Sequence, residues 1–232
     1  MTPRYVVAFN GSPRPDGNTR ILLEKALEPI RAAGIEAEIV QVGGHPIHGC
    51  LACYKCMELQ NQRCIMDHDI INTCLEKMIR ADAILFGSPT YFADMTPEMK
   101  ALIDRSGFVA FANNRLFNRK IGASVAVQRR GGATNTFNSM NQMFLMSGMI
   151  LPGSTYWNLG VGLEKGSVVN DSEAMDNMTD LGQTIVWLIE RLRSDVTPEK
   201  SAPHDIPSKV REPKAEADET AAAPADTELI SQ

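Results

Sequence analysis

Blocks of apolar and polar positions alternate along the first 194 residues, and their spacing predicts five strands and five helices. Short apolar runs indicate buried strands, strict alternation indicates an edge strand, and apolar residues recurring every three or four positions indicate helices. The predicted strands span residues 4–10, 35–42, 82–88, 120–128 and 150–160. The predicted helices span residues 19–34, 69–81, 96–113, 133–149 and 171–194.

Local residue choices support several of these elements. Gly34 follows the first helix, where a glycine in the left-handed conformation ends many helices. Thr96 and Pro97 open the third helix with a capping hydroxyl and a proline at the first helical position. The strand at 35–42 is the alternating one, so we expect it near an edge of the sheet.

The order of the elements predicts an α/β fold. Strands that alternate with helices form right-handed βαβ units, so the strands should be parallel and covered by helices on both faces. Five such strands fit a doubly wound, flavodoxin-like sheet in the order 2-1-3-4-5. A rearranged half of a Rossmann fold is the alternative. Residues 1–194 are enough to bury one core, and we expect them to form one domain.

The composition changes after residue 194. Residues 195–232 are rich in proline, alanine and charge and have few large apolar side chains, so we expect this tail to be disordered. The tail has nine acidic and four basic residues, a difference equal to the formal net charge of −5 of the whole chain. The body is therefore neutral and has no basic run of the kind that binds nucleic acid.

The first residues do not have the pattern of a secretory signal. Their apolar run covers only residues 5–9, which is too short for a signal peptide. No stretch approaches the roughly 18 apolar residues of a membrane helix. We therefore expect a cytoplasmic protein without membrane contacts, whose thiols stay reduced unless they serve a metal or a reaction.

The loop at residues 10–20, after the first strand, has the composition of an anion site. Ligands of such sheets bind at the carboxyl ends of the strands, and free N–H groups at a following helix N-terminus favour an anion. The loop is neither a P-loop nor a G-x-G-x-x-G motif. An ordinary βα turn with a capping side chain is the alternative. The candidate phosphate ligands are Ser12, Arg14, Gly17, Asn18 and Thr19.

Four of the five cysteines lie close together in a loop at residues 48–66, after the second strand: Cys50, Cys53, Cys56 and Cys64. Their spacing, C-x2-C-x2-C-x7-C, is compatible with one iron–sulfur cluster. Zinc sites more often use two separated pairs, although His45 and His48 lie nearby. A thiol switch would use only two of the four, and disulfides are disfavoured in the cytoplasm. Cys74 falls in a predicted helix and is expected to be a small buried residue.

Three sequence blocks resemble the NADPH-dependent FMN reductase family, whose members are flavodoxin-like. GSPRPDGNT (11–19) is similar to the FMN-phosphate loop of that family. GSPTYFADMTPEMKALIDR (87–105) is similar to the stretch after its third strand, and VQRRGGATNT (127–136) to its glycine-rich fourth loop. The resemblance covers about residues 4–194 and implies that FMN lies between these loops. The residues it places around the isoalloxazine ring are Pro89, Thr90, Tyr91, Phe92, Arg130, Gly131 and Gly132.

The chemistry of these residues suits that role. Aromatic side chains offer a flat apolar surface to a planar ring. Glycines let backbone N–H groups approach the polar edge of a flavin. An aromatic core pair and a flexible turn are the alternatives.

Within this family the chain resembles the iron–sulfur flavoproteins, which have similarly spaced cysteines at the same place. The resemblance implies a [4Fe–4S] cluster on the four clustered cysteines, near the flavin of a neighbouring subunit, and hence a homodimer or homotetramer. Residues 108–117 and 140–149 are candidates for the subunit contact. NAD(P)H or ferredoxin is implied as the redox partner, and the sequence has no nicotinamide fingerprint of its own.

The expected function is that of an FMN-dependent oxidoreductase or electron carrier, with a [4Fe–4S] cluster that exchanges electrons with the flavin. The alternative is an NAD(P)H-dependent FMN or quinone reductase that lacks the cluster and whose cysteines are structural or bind zinc. A non-enzymatic metal-binding module on the same scaffold is a third hypothesis. No acid–base residue is assigned, because a flavin can carry the redox step without one.

Overall fold

The computed structural model describes residues 4–194, and the tail predicted at 195–232 lies outside the described residues. Five parallel strands form a sheet in the order β2-β1-β3-β4-β5, which confirms the predicted order. The strands are β1 (Tyr5–Asn10), β2 (Glu36–Gln41), β3 (Ala83–Pro89), β4 (Ile121–Gln128) and β5 (Leu159–Val161). The helices are α1 (Asn18–Ala32), α2 (Lys55–Leu59), α3 (Ile71–Arg80), α4 (Pro97–Ala112), α5 (Ala133–Met146) and α6 (Ser172–Ser194), with a 3₁₀ turn at Ser167–Asn170.

Alternate residues of the central strands face two separate hydrophobic cores. Val7 and Phe9 of β1 pack with α3, α4 and α5 on one face of the sheet. Val6 and Ala8 pack with α1 and α6 on the other face. Burial on both faces explains why the central strands are apolar throughout. Strand β2 lies at the edge and is only partly buried, as its alternating sequence predicts.

The predicted helix ends at Gly34 and Thr96 are confirmed. Gly34 has φ +75°, and its N–H donates to the Arg31 carbonyl at 2.9 Å while Ile35 N–H donates to the Ile30 carbonyl at 3.2 Å. This pattern is a Schellman motif, which satisfies carbonyls at the helix end. At α4 the Thr96 hydroxyl accepts a bond from Met99 N–H at 3.4 Å.

The strand predicted at 150–160 is wrong in extent. Strand β5 has only three residues, Leu159–Val161, and Ile150 makes an isolated bridge with Ile121. Pro152 and Gly153 stand between these two contacts. Proline has no N–H for the ladder and glycine weakens strands, so the intervening segment forms a loop.

The helix predicted at 133–149 ends earlier than expected, at Met146. Gly148 has φ +70°, and Met149 N–H donates to the Phe144 carbonyl at 3.0 Å, which closes a second Schellman motif. Within residues 4–194, no helix is both long enough and apolar enough to cross a membrane.

Candidate functional site

Three loops that follow neighbouring strands meet at the carboxyl edge of the sheet. They are the β1–α1 loop, the β3–α4 loop and the β4–α5 loop. Gly11 N–H donates to the Gly87 carbonyl at 2.7 Å, which joins the first two. Thr90 N–H donates to the Val127 carbonyl at 2.7 Å, which joins the β3 and β4 ends. The structure thus brings together the three blocks that the sequence places in separate parts of the chain.

The β1–α1 loop presents the N-terminus of α1. Gly17 is the N-cap and provides no capping side chain, and the first N–H to bond within the helix is that of Ile21, to the Gly17 carbonyl. The N–H groups of Asn18, Thr19 and Arg20 therefore lie outside the helical ladder. A Cβ at Gly17 would approach Arg14 Cβ at 3.0 Å, so the loop is a close-packed cradle. Free N–H groups at a helix N-terminus suit a phosphate.

The five predicted phosphate ligands are adjacent, but their side chains differ in position. Ser12 is buried and its hydroxyl accepts a bond from Arg14 N–H at 3.2 Å, whereas the Arg14 side chain is exposed. Thr19 is buried at the start of α1. The Asn18 side chain is engaged elsewhere: its amide donates to the Glu164 carbonyl at 2.9 Å and accepts from Val168 N–H at 3.4 Å. Asn18 therefore offers an anion its backbone N–H rather than its side chain.

The β3–α4 loop begins with a tight turn at Tyr91–Asp94. The two end residues exchange backbone hydrogen bonds of 2.7 and 3.1 Å, and Phe92 and Ala93 between them have φ of +46° and +68°. A bulky side chain with positive φ is uncommon and costs free energy. The turn holds Phe92 fully exposed, at 108% of its reference area, and leaves Tyr91 45% exposed. Pro89 and Thr90 form the partly buried base of the turn.

The β4–α5 loop packs directly on this turn. Gly132 has φ +93°, and a Cβ there would meet Thr90 Cγ2 at 3.0 Å and Ala93 Cα at 3.4 Å. The Thr136 hydroxyl lies 3.1 Å from the Thr90 hydroxyl, and the Asn135 amide donates to the Ala93 carbonyl at 2.7 Å. Only glycine meets both requirements at position 132 without strain. Arg130 and Gly131 precede it and are exposed, so the predicted ring-contacting residues surround one open edge.

The four clustered cysteines all line one small pocket of about 20 Å³ beside α4. Cys50 and Cys53 are exposed, Cys64 is partly buried and Cys56 is buried at the start of α2. All are free thiols. The pocket is completed by apolar side chains and by one charged residue, Arg105.

Two asparagines hold the cysteine loop against the helices. The Asn72 side chain in α3 accepts from Cys64 N–H at 2.8 Å and donates to the Cys64 carbonyl at 2.9 Å. Asn113, at the end of α4, accepts from Gln62 N–H at 2.8 Å and donates to the Val109 carbonyl at 2.8 Å. Both asparagines are buried. They give the backbone of an otherwise irregular loop fixed hydrogen-bond partners.

Arg105, in the middle of α4, is the third anchor and is 1% exposed. Its guanidinium forms a buried ion pair with Asp69 and donates to the carbonyls of His48 at 3.1 Å and Met66 at 2.8 Å. Burial alone would raise the pKa of the Asp69 carboxyl, but the Arg105 hydrogen bond and charge hold that pKa below its ordinary value. The two ends of the cysteine loop are therefore tied to one side chain.

Sequence patterns alone did not identify Asn72, Arg105 or Asn113 as site residues. The available signal is a polar residue on the buried stripe of an amphipathic helix. Arg105 follows Leu102 by three positions and precedes Val109 by four, and all three are buried. Charged residues are rarely buried without a partner, so such a position indicates a specific contact.

The residue types that line the pocket suit a metal cluster, but their side chains do not converge on one point. Four thiols with a cation and no carboxylate match the sulfur ligands of an iron–sulfur cluster. In the described part of the chain, however, no group of three or more His, Cys, Asp or Glu side chains is close enough to hold a metal ion. His45 and His48 are both exposed and form no such group.

The parallel sheet in the order β2-β1-β3-β4-β5, with three loops that meet at its carboxyl edge, defines a flavodoxin-like fold, in which ligands bind at that edge. The sequence profile of the NADPH-dependent FMN reductase family matches residues 5–164, so the chain belongs to this family. It is a flavin-dependent oxidoreductase by that membership. Its sequence is also similar to those of iron–sulfur flavoproteins.

Two similar relatives are iron–sulfur flavoproteins of archaea. That of Methanocaldococcus jannaschii is 33% identical over 195 residues, which cover 81% of this chain and 98% of the relative. That of Archaeoglobus fulgidus is 33% identical over 200 residues, 82% of this chain and 97% of the relative. Among solved structures, an NAD(P)H:quinone oxidoreductase from Methanothermobacter marburgensis has a TM-score of 0.58 at 15% identity, covering 80% of this chain and 98% of that one. This last likeness supports the fold alone.

Differences in burial predict an order of reactivity among the thiols of the metal-free protein. Burial and the nearby Asp69 charge raise the pKa of Cys74 to about 12, and burial raises the pKa of Cys56. At pH 8 a thiol with a pKa near 12 is thiolate in only about one molecule in 10⁴. We expect iodoacetamide to label Cys50 and Cys53 first, Cys56 more slowly, and Cys74 only after denaturation. Peptide mapping by mass spectrometry measures this order, and labelling of Cys74 as fast as Cys53 in folded protein would contradict it.

Proposed function

We propose that this protein is an FMN-dependent electron-transfer oxidoreductase that holds a [4Fe–4S] cluster on Cys50, Cys53, Cys56 and Cys64. The observation that carries the proposal is the pocket that these four thiols line together on a chain of the FMN reductase family. Bound FMN supplies one- or two-electron chemistry, and an iron–sulfur cluster supplies single electrons. We place the protein in the cytoplasm, where four free thiols remain reduced.

The flavin phosphate would be held by the β1–α1 loop. The free N–H groups at the start of α1 and the hydroxyls of Ser12 and Thr19 provide donors for a phosphate monoester. Arg14 is exposed beside them and adds positive charge. Gly17 keeps the loop close-packed, and Asn18 fixes the loop to residues 164–168.

The ring would lie at the open edge formed by the other two loops. Tyr91 and Phe92 offer aromatic surface from a rigid turn. Gly131 and Gly132 are exposed near that turn, and their backbone N–H groups would meet the polar edge of the flavin and favour its reduced anion. Pro89, Thr90 and Arg130 complete the surroundings of this edge.

A cluster-free reductase is the second candidate. Its support is that the described side chains form no closed metal site. In that case the protein would be an NAD(P)H-dependent FMN or quinone reductase, and the cysteines would be structural or bind zinc. In both cases the electron donor is a reduced nicotinamide or a small redox protein such as ferredoxin.

Substitution of one cysteine separates these candidates. Cys56→Ala removes a buried member of the pocket without touching the flavin loops, so we expect anaerobically purified protein to lose its iron and sulfide and to retain FMN. Cys74→Ala is the matched control, because Cys74 is buried outside the pocket and should leave iron unchanged. Iron, sulfide, zinc and flavin assays measure the outcome.

Three results of these assays would count against the proposal. Flavin with no iron in the wild type favours the cluster-free reductase. Zinc in place of iron makes the cysteines a zinc site. Stoichiometric iron in Cys56→Ala shows that four-thiolate coordination is wrong.

The adjacent glycines of the β4–α5 loop offer a matched test of flavin binding. Gly132→Ala forces alanine into φ +93° and against Thr90, which pushes the loop away from the turn at Tyr91–Asp94. We expect FMN affinity to fall about tenfold, which corresponds to about 1.4 kcal/mol. Gly131→Ala has ordinary φ and no protein atom within 4 Å of the new methyl group, so it should leave the loop in place and bind FMN more tightly than Gly132→Ala. Equal affinities in fluorescence titrations of both variants would remove this loop from the flavin site.

We further propose that a second copy of the chain covers the groove between α4 and α5. The groove has a volume of about 420 Å³ and apolar walls that include Phe111 and Met146, both exposed in the single chain. These residues belong to the two stretches expected to form a subunit contact. Shared apolar contact would support a homodimer or homotetramer.

A charge placed in this groove tests the oligomer. Met146→Glu should raise the dissociation constant between subunits at least tenfold, because the carboxylate would have to leave water. Trp187→Glu, on an exposed position of α6 outside the groove, is the control and should not change the assembly. Sedimentation velocity measures both, and an unchanged assembly in Met146→Glu would exclude the groove as the contact.

A further inference from the structure

One nitrogen of the Arg105 guanidinium, Nε, makes no hydrogen bond to the cysteine loop. Three contacts account for its two terminal nitrogens: Asp69, the His48 carbonyl and the Met66 carbonyl. The Nε atom is buried and has no hydrogen-bond acceptor among residues 4–194. A buried donor without an acceptor costs free energy, so natural structures rarely keep one without a reason.

The surroundings of Arg105 indicate what the free donor can serve. Arg105 lines the same pocket as the four thiols, and it is the one charged side chain there among the described residues. Cys64 lies two residues before Met66, whose carbonyl accepts from Arg105 at 2.8 Å, so Arg105 holds the segment that carries the Cys64 thiol. A cysteine sulfur is therefore the hydrogen-bond acceptor that we assign to the Arg105 Nε–H group.

A role limited to packing does not explain this arrangement. Buried ion pairs contribute little net stability, because removing both charges from water costs about as much as their attraction returns. Asn72 and Asn113 already anchor the loop by neutral hydrogen bonds. A cation at this position gains most if the pocket becomes anionic, as it does when four thiolates bind a cluster.

We propose that Arg105 is the positioning residue that sets the reduction potential of the cysteine site, with its Nε–H donated to the Cys64 sulfur. This inference rests on the proposed cluster. Hydrogen bonds to ligand sulfurs and nearby positive charge stabilise the more negative, reduced state, so Arg105 raises the potential. Its contacts with His48, Met66 and Asp69 fix the direction of the fork. The proposed role concerns only a one-electron reduction, in which an added reductant would supply the electron and no covalent bond would change.

The conservative variant Arg105→Lys is the first test. Lysine keeps the positive charge beside Asp69 but lacks the planar fork, so it cannot serve the loop carbonyls and a sulfur together. We expect iron and sulfide content close to wild type and an equilibrium constant for one-electron reduction at least tenfold lower. This change equals a fall of about 59 mV in an anaerobic titration monitored by electron paramagnetic resonance.

A double variant keeps the test decisive if lysine is not tolerated. Arg105→Met with Asp69→Asn removes both charges of the pair, so no uncompensated charge remains buried. If Arg105 governs the site, the potential again falls. If Asp69 governs it, loss of the carboxylate raises the potential. Lys120→Met is the control, because it removes a partly buried cation that donates to the Ile79 and Ala81 carbonyls, away from the cysteines.

The outcomes distinguish this inference from the proposed function. Wild-type protein without iron and sulfide refutes the cluster and, with it, the role of Arg105. Wild-type protein with a cluster, and variants that titrate at the wild-type potential, leaves the proposed function intact and refutes the inference. Lower melting temperatures with unchanged potentials would show that Arg105 is only structural.

Discussion

The site depends on a backbone contact at the carboxyl edge of the sheet that only glycine permits. Gly43, two residues after β2, lies so close to Gly11 and Ser12 that a Cβ would overlap their backbone atoms. Gly43 N–H donates to the Asn10 carbonyl at 3.0 Å, and the Gln41 amide donates to the Ser12 carbonyl at 2.7 Å. The segment that leads into the cysteine loop is thereby fixed against the β1–α1 loop, which we propose holds the flavin phosphate. The β1–α1 loop and the cysteine loop are therefore connected through one close backbone contact at Gly43.

Helix α4 contacts both the β1–α1 loop and the cysteine loop. At its start, the Thr96 hydroxyl donates to the Gly11 carbonyl at 2.8 Å. Nine residues later, about 14 Å along the helix axis, Arg105 holds both ends of the cysteine loop. A helix of sixteen residues packed in the core is stiff, so displacement at either end would be transmitted to the other.

The sequence predicted the scaffold well because its signals are local. Apolar runs, the threonine–proline start of α4 and the glycine after α1 each act within a few residues of themselves. The anchors at Asn72, Arg105 and Asn113 were missed because their meaning depends on which loop folds over them. The length of β5 was overestimated for a related reason, since Pro152 and Gly153 interrupt pairing in a stretch whose apolar residues look continuous. The hydrophobic pattern predicts helices and strands, whereas contacts between distant segments can be identified only once the fold is known.

The cysteine pocket also has a consequence for the order in which the protein matures. Both cores close around strands and helices, and Cys50 and Cys53 lie outside them in water. The fold therefore does not depend on metal to bury its apolar surface, unlike small zinc domains that are unfolded without their ion. In the proposed cluster-bearing form, iron and sulfide would reach an already folded protein through its exposed cysteines, and loss of the metal would leave a folded chain that can be loaded again.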